Sequence, residues 1–283
     1  MRRRRLRRVR NRRALLVIAV CALATAPLAA QAAESSTPPS PAAPPPPTSL
    51  VVALGLRDPS LGAGVVRGGQ VVLARGLEVE LAKLLARRLG AAVGRFVELR
   101  PALRLLAGPA GGWQLALAGI EPSRAARATA DLSEPYLTTD AAVVLRRHLP
   151  RPRGLGDLRG RTLCAVRGSE AARTIGTVVR PKAAILATRP DRLRELLRTG
   201  ACDAALVPAI EAARFVRGHD RELGPVAGRI PSGDGLVVAV ARGTGLDVEA
   251  VDRALAQLRR DGTLGRLARS WLRLDPARLR TLR

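Results

Sequence analysis

Residues 118–137 read AGIEPSRAARATADLSEPYL, and this stretch decides how the rest of the chain is interpreted. It begins where an apolar run, WQLALAGI at 113–120, ends in a glycine turn, a pattern typical of a buried strand. Arg124 follows the turn at once, and the stretch closes near Tyr136, the only tyrosine of the chain. Backbone amides at the end of a strand, together with a guanidinium, are suited to a carboxylate. The stretch therefore predicts an anion-binding turn.

On the N-terminal side of this stretch, strands alternate with helices. LVVALGL at 50–56 is typical of a buried strand, and GLEVELAKLLARRLG at 76–90 has the leucine spacing of a helix. A second strand is predicted at 94–99 and a short helix at 101–108. This order indicates a parallel or mostly parallel α/β sheet.

The alternation restarts on the C-terminal side. A strand at 141–147 precedes a strand and a helix within 156–179, which are separated by a Gly-Ser break. Further strands are predicted at 183–188 and 202–208, and GLVVAVARG at 235–243 leads to two C-terminal helices. Two α/β units of roughly 90–100 residues each have the usual size of small domains.

The N-terminus has the composition of an export signal. Residues 1–33 combine an arginine-rich start, an apolar run and a small-x-small site, which indicates a signal peptide or an uncleaved N-terminal anchor. Lipidation of Cys21 stays open. Residues 34–49 are rich in proline and are expected to form a semi-rigid linker. We therefore expect an exported protein of the periplasm or cell envelope, either free or tethered by its N-terminus.

The charge is strongly basic, with 48 lysines and arginines against 23 acidic residues and a net charge of +25. Aromatic residues make up only 2% of the chain, so the stacking surface of nucleic-acid-binding proteins is missing. Nucleophile elbows, phosphate loops and metal-ligand spacings are missing too. Glu78 and Glu80 alternate along a helix and are expected to meet solvent. We expect no nucleic-acid partner, no metal, no cofactor and no enzymatic activity.

Five segments of the chain match the motifs of one protein family in their order. The segments are GLEVELAKLLARRLG, AGIEPSRAARATADLSEPYL, LGDLRGRTLCAVRGSEA, LRTGACDAALV and ALAQLRRDGTLGRLARSWL. They resemble motifs of the bacterial extracellular solute-binding proteins, family 3, the periplasmic binding proteins of polar amino-acid ABC transporters. The resemblance covers about residues 50–272 and implies an α/β fold, a two-lobed periplasmic-binding-protein-like (type II) clamshell with two hinge strands. Lobe 1 is expected at 50–137 and 236–283, and lobe 2 at 138–235.

The resemblance also implies where the ligand binds. Arg124 corresponds to the arginine that holds the α-carboxylate of an amino acid, and Arg127 is the alternative because neither has the family's spacing. The turn before Arg124 and the loop after the first strand supply the other positions of lobe 1, and a Gly-Ser segment supplies those of lobe 2. The expected ligand-binding residues are Asp58, Ala118, Gly119, Glu121, Arg124, Ser169 and Glu170.

One departure from the family concerns the ammonium group of the ligand. Pro208 stands where the family has an aspartate that holds this group, so an organic anion is favoured unless Glu170, Glu211 or Asp140 substitutes. The expected function is capture of a small polar or anionic, amino-acid-like solute between the lobes of a monomer, and its delivery to an ABC permease.

Three questions stay open at this point. A sensory or accessory domain of the same fold, with altered or lost ligand binding, is the alternative function. A dehydratase or lytic enzyme would need a carboxylate in the cleft, for which Glu170 is the candidate. The third question is whether Cys164 and Cys202 pair, which they can do in an oxidising compartment.

Tyr136 is expected to be a packing residue at the crossing between the lobes.

Overall fold

The computed structural model of the protein describes residues 47–99, 112–219 and 221–283. The predicted signal or anchor, the linker up to residue 46 and the predicted helix at 101–108 lie outside these residues. Within the described ranges, no helix combines the length and apolar character that a membrane span needs.

The described residues form twelve strands and eight α-helices. The strands are β1 Ser49–Leu54, β2 Ala63–Arg67, β3 Gln70–Arg75, β4 Ala92–Glu98, β5 Leu115–Leu117, β6 Asp131–Leu132, β7 Ala141–Arg146, β8 Thr162–Val166, β9 Ala183–Ala187, β10 Ala204–Pro208, β11 Leu223–Ile230 and β12 Ala239–Val240. The helices are α1 Leu77–Arg88, α2 Arg124–Thr129, α3 Leu155–Arg159, α4 Glu170–Thr174, α5 Pro190–Arg198, α6 Ala212–Val216, α7 Val248–Arg260 and α8 Thr263–Leu272.

The first sheet has the strand order β4-β1-β5-β12-β6. β1 runs parallel to β4 and β5, whereas β12 is antiparallel to β5 and β6. The leucine stripe of α1 packs on one face of this sheet together with residues of α7 and α8. Alternate residues of β1 belong to different core clusters, because side chains of a strand point to opposite faces. The carboxyl ends of β1 and β5 therefore meet at one edge.

The second sheet has the strand order β11-β7-β10-β8-β9. β8 is parallel to β9 and β10, and β7 is antiparallel to β10 and β11. A disulfide joins Cys164 on β8 to Cys202, which precedes β10, with 6.1 Å between their Cα atoms. The pairing that the sequence left open is therefore present.

The chain crosses between the two sheets after β6 and again before β12. The two crossing segments are paired: the amide of Tyr136 donates to the carbonyl of Leu236 at 2.8 Å, and the amide of Leu236 donates to the carbonyl of Leu137 at 2.7 Å. Each sheet has its own hydrophobic core. The prediction of a two-lobed α/β fold with two connecting segments is confirmed.

The C-terminal residues, which the sequence assigns to lobe 1, pack on the second sheet. The amide of Leu282 donates to the carbonyl of Arg229 on β11, and the amide of Arg229 donates to the carbonyl of Arg280, both at 2.8 Å. The side chain of Leu282 is fully buried in the second core. The chain thus passes to the second sheet once more at its end, and the lobe boundaries given above remain a prediction.

Candidate functional site

A cavity of about 490 Å³ lies in the first lobe, beyond the carboxyl ends of β1 and β5. Its walls come from the loop after β1, the first turn of α1, the turn after β5 and the start of α2. Parallel strands commonly bind ligands at this edge, and the volume is that of a small-molecule site. Four of the predicted ligand-binding residues line it, namely Asp58, Ala118, Gly119 and Glu121.

The turn after β5 depends on two glycines. Gly119 has a φ of +62°, in the left-handed region that glycine adopts without strain. At Gly55, a Cβ would lie 2.9 Å from the Cα of Ala118, so only a glycine lets the ends of β1 and β5 approach this closely. The amide of Gly119 donates to Oε1 of Glu78 at 2.7 Å. This amide is therefore engaged with the protein rather than free for an anion.

Glu78 is fully buried and lines the cavity, so the prediction that it meets solvent is wrong. Its Oε1 also accepts a hydrogen bond from the hydroxyl of Tyr136 at 2.5 Å, whereas Oε2 has no partner in the described part of the chain. Burial raises the pKa of Glu78 from 4.5 to about 7; the bonds from Tyr136 and Gly119 lower this pKa, and the charge of Asp58 adds to the rise.

The burial of Glu78 has a topological cause. The first turn of α1 lies beneath the turn after β5, so Glu78 points at Gly119 and not at water. The hydrogen bond from Tyr136 joins this carboxyl to the first crossing segment. Tyr136 is itself buried, and burial together with Glu78 raises the pKa of its hydroxyl well above the usual value. The only sequence signal for the burial of Glu78 was its position directly after Gly76-Leu77, at the start of an otherwise apolar stripe.

Asp58 contacts the second lobe. Its carboxylate accepts a hydrogen bond from the amide of Ser60 at 2.9 Å and forms an ion pair with Arg214 of α6, with 3.1 Å between Nη1 and Oδ1. Arg214 also lies 3.5 Å from Glu211, whose pKa is raised by burial and by Asp58 and lowered by Arg214. Nearby Ile210 packs against the first core. The sequence did not predict Arg214.

Arg124 begins α2 and is exposed, and its neighbours Ser123 and Ala125 line the cavity. Ser123 caps the helix by accepting a hydrogen bond from the amide of Ala126 at 3.1 Å. No hydrogen bond or ion pair engages the Arg124 or Glu121 side chain within the described residues. The exposed side chain of Arg127 has no partner there either, so the choice between the two arginines remains a prediction.

Ser169 and Glu170 do not line this cavity. The hydroxyl of Ser169 accepts from the amide of Ala172 and donates to the carbonyl of Val166, so it caps α4. Glu170 is ion-paired with Arg173 one turn further along the same helix. Their part in ligand binding stays a prediction. No group of three or more potential ligand residues that suits a metal ion occurs in the described ranges.

These features define a class of protein: two α/β lobes joined by paired crossing segments, with a small-molecule cavity beyond parallel strands. The chain belongs to the bacterial extracellular solute-binding proteins, family 3, whose model matches residues 70–274. The resemblance found in the sequence is therefore confirmed. Members of this family are extracellular binding proteins.

Solved structures share the fold. The L-cystine solute receptor of Neisseria gonorrhoeae, in an unliganded open conformation, is 19% identical with a TM-score of 0.66, covering 80% of this chain and 93% of that chain. An ancestral cationic amino acid solute binding protein is 18% identical with a TM-score of 0.56, covering 80% and 96%. At this identity the likeness concerns the fold, which is the predicted type II clamshell. No curated protein sequence matches the chain significantly.

Proposed function

We propose that the protein captures a small, polar, amino-acid-like solute in the first-lobe cavity and presents it to an ABC permease. The observation that carries this proposal is the cavity itself, because the second lobe contacts one of its lining residues directly, through Arg214 and Asp58. A ligand held beyond β1 and β5 would thus meet both lobes, and closure of the lobes would signal its presence to the permease.

The charges around the cavity support a ligand that carries a carboxylate. Arg57 lines the cavity and Arg124 lies directly beside lining residues; neither side chain has a partner in the described ranges. A guanidinium binds a carboxylate with two parallel hydrogen bonds. The names of two relatives agree with a solute of this kind, since one is an L-cystine receptor and the other a cationic amino acid binding protein.

The remaining parts of the proposal concern partners and location. We infer that residues 1–33 direct export to the periplasm or cell envelope, where the protein acts as a monomer without a cofactor. Glu170, the candidate catalytic carboxylate, is ion-paired with Arg173 and does not line the cavity, which argues against a catalytic role for this residue. A sensory or accessory domain of the same fold is the alternative.

A thermal-shift screen of the purified protein against amino acids, organic acids and polyamines tests the proposal. A ligand at a hundred times its Kd stabilises the folded state by about 2.7 kcal/mol, which raises the melting temperature by several degrees. If no compound raises it, solute capture is refuted and the sensory alternative gains.

A pair of arginine variants identifies the carboxylate-binding residue. We expect Arg124→Ala to weaken binding of a carboxylate ligand about tenfold or more, because a charge-assisted pair is lost. Arg127→Ala should leave the affinity unchanged. The reverse pattern would assign the carboxylate to Arg127.

A further inference from the structure

We propose that an exposed basic face of the second lobe docks the protein on the anionic headgroups of a phospholipid membrane. We call this surface the basic face. It consists of six exposed side chains, Arg151, Arg153, Arg159, Arg180, Lys182 and Arg280. None of the six lines the cavity described above, so the inference goes beyond solute capture and does not depend on it.

Three segments of the chain come together at the basic face. The side chain of Arg280, close to the end of the chain, donates to the carbonyl of Arg153 at 3.0 Å. The side chain of Arg159 donates to the carbonyl of Val179 at 3.3 Å, and the amide of Lys182 donates to the carbonyl of Arg159 at 2.6 Å. The segments before β8 and before β9 and the C-terminal segment therefore form one surface.

The charge of the basic face is almost uncompensated. Asp157 is the only acid in the segments that form the face, and its Oδ2 accepts a hydrogen bond from the backbone amide of Arg153 at 2.7 Å. No side chain of the basic face forms an ion pair within the described residues. The guanidinium groups of Arg159 and Arg280 donate to carbonyl oxygens, which do not neutralise their charge. Like charges without counter-ions repel one another, so a polyanionic surface would stabilise this face.

Arg161 provides an independent observation beside the basic face. This half-buried side chain donates from Nη2 to the carbonyl of Pro150 at 2.9 Å. Its Nη1 is buried and has no acceptor within the described residues. A buried donor without an acceptor is costly and rare in folded proteins. A headgroup phosphate oxygen, admitted beside Pro150 by a small movement of the loop, would supply the missing acceptor.

The basic face lies at the far end of the second sheet from the cavity. Arg161 and Lys182 directly precede β8 and β9, so they mark the amino ends of these two parallel strands. Arg214, which contacts the cavity residue Asp58, follows the carboxyl end of β10, and β10 is parallel to β8. A membrane at the basic face therefore leaves the cavity open to a solute.

The chemistry of the basic face favours a membrane surface over a nucleic acid. Each basic residue near an anionic bilayer strengthens binding by about fivefold, and singly charged headgroups neutralise charges that are spread over a surface. Aromatic residues make up only 2% of the chain, so a platform for stacking bases is missing. Residues 1–33, proposed above to direct export, bring the chain to a membrane.

Modification of arginine side chains, read by mass spectrometry, tests the docking in the whole chain. Phenylglyoxal modifies exposed guanidinium groups, and peptide mapping gives the rate at each arginine. A readout of this kind is needed because the arginine-rich N-terminus also attracts anionic vesicles. We expect phosphatidylglycerol vesicles, compared with phosphatidylcholine vesicles, to slow modification of the arginines of the basic face by at least about threefold. Arg67, Arg95 and Arg260, which are exposed on the first lobe, are internal controls and should keep their rates.

A triple variant tests whether the charge causes the protection. Arg151→Gln, Arg153→Gln and Lys182→Gln together remove half of the charge of the basic face, which corresponds to about a hundredfold in affinity. Arg180 and Arg280 should then lose their protection by phosphatidylglycerol vesicles. A matched triple variant, with glutamine at the three control arginines, should keep it. Salt at about 0.5 M should reverse the protection of the wild type, because it shortens the range of the attraction.

The outcomes separate the docking from solute capture. Equal protection of the control arginines, or no protection of the basic face by phosphatidylglycerol, overturns the docking. Protection by poly-L-glutamate at equal charge, when the vesicles give none, overturns the membrane as the partner and assigns the face to an acidic polypeptide. The thermal-shift screen measures solute binding without vesicles, so the failure of one proposal leaves the other standing.

Discussion

Replacing Glu78 by glutamine removes a buried titrating carboxyl and keeps the shape of the side chain. The amide oxygen can still accept the hydrogen bonds from Gly119 and Tyr136, which reach Oε1 in the wild-type protein. The variant therefore isolates the free energy of ionising this one group. Any constant cost of placing an amide nitrogen at the Oε2 position is the same at every pH.

The expected pH dependence follows from the pKa of Glu78, which rises from 4.5 to about 7 on folding. A carboxyl with a higher pKa in the folded protein binds more protons there than in the unfolded chain, so stability falls as the pH rises through this window. The full shift corresponds to about 3 kcal/mol of the free energy of unfolding, of which roughly 2.5 kcal/mol is lost between about pH 5 and about pH 8.

Urea unfolding at these two pH values measures the effect. Trp113 and Trp271 both pack in the first lobe, so tryptophan fluorescence follows the lobe that contains Glu78. The quantity of interest is the stability of Glu78→Gln minus that of the wild type, because other titrating groups, Glu211 included, cancel in this difference to first order. We expect the difference to grow in favour of the variant by roughly 2.5 kcal/mol from the lower to the higher pH.

A second variant checks the cause of the shift. The hydrogen bond from Tyr136 lowers the pKa of Glu78, so Tyr136→Phe should move the pH window upward. A stability difference between Glu78→Gln and wild type that does not change with pH would refute the reasoning, since Glu78 would then titrate alike in the folded and unfolded protein.

Three further variants test the architecture by chemical unfolding. Leu282→Ala should lower the free energy of unfolding by about 2–5 kcal/mol, because the Leu282 side chain is fully buried in the second core. An unchanged free energy of unfolding would show that the C-terminal residues do not pack on the second sheet. Replacing Cys164 and Cys202 by serine should cost about 4 kcal/mol for the 38-residue separation, and equal stability would argue against the bridge in solution. Asp140→Asn should lower the free energy of unfolding by about 3 kcal/mol, because it leaves Arg229 without its buried partner. Asp191→Asn, which removes an exposed ion pair, should change the free energy of unfolding very little.

Much of the fold was predictable because its signals are local. The leucine spacing at 76–90 predicted a helix, and α1 occupies Leu77–Arg88. The strand expected at 141–147 is β7, Ala141–Arg146. The segment after β10 is irregular, because a 3-10 turn, Ala209–Glu211, precedes the short helix α6. Such local patterns depend on neighbours within a few residues, which a sequence displays directly.

The candidate site was predictable only in part. Asp58 and the turn at 118–121 line the cavity, and their part in ligand binding stays a prediction. Glu78 and Arg214 were missed, because each is recruited by a distant partner. Glu78 meets Tyr136, 58 positions away, and Arg214 meets Asp58, 156 positions away. No periodicity or motif encodes contacts of this kind.

The sequence by itself determined the alternation of strands and helices, the two-lobed class and the position of the turn after β5, since these depend on local patterning and on motifs that keep their order. Only the tertiary structure decided which charges meet. Glu78 is buried beneath Gly119, and Arg214 of the second lobe pairs with Asp58 of the first. Asp140 and Glu170 form ion pairs away from the cavity. The physical reason is that ionisation and pairing depend on burial and on distances through space, which the crossings between the two sheets set.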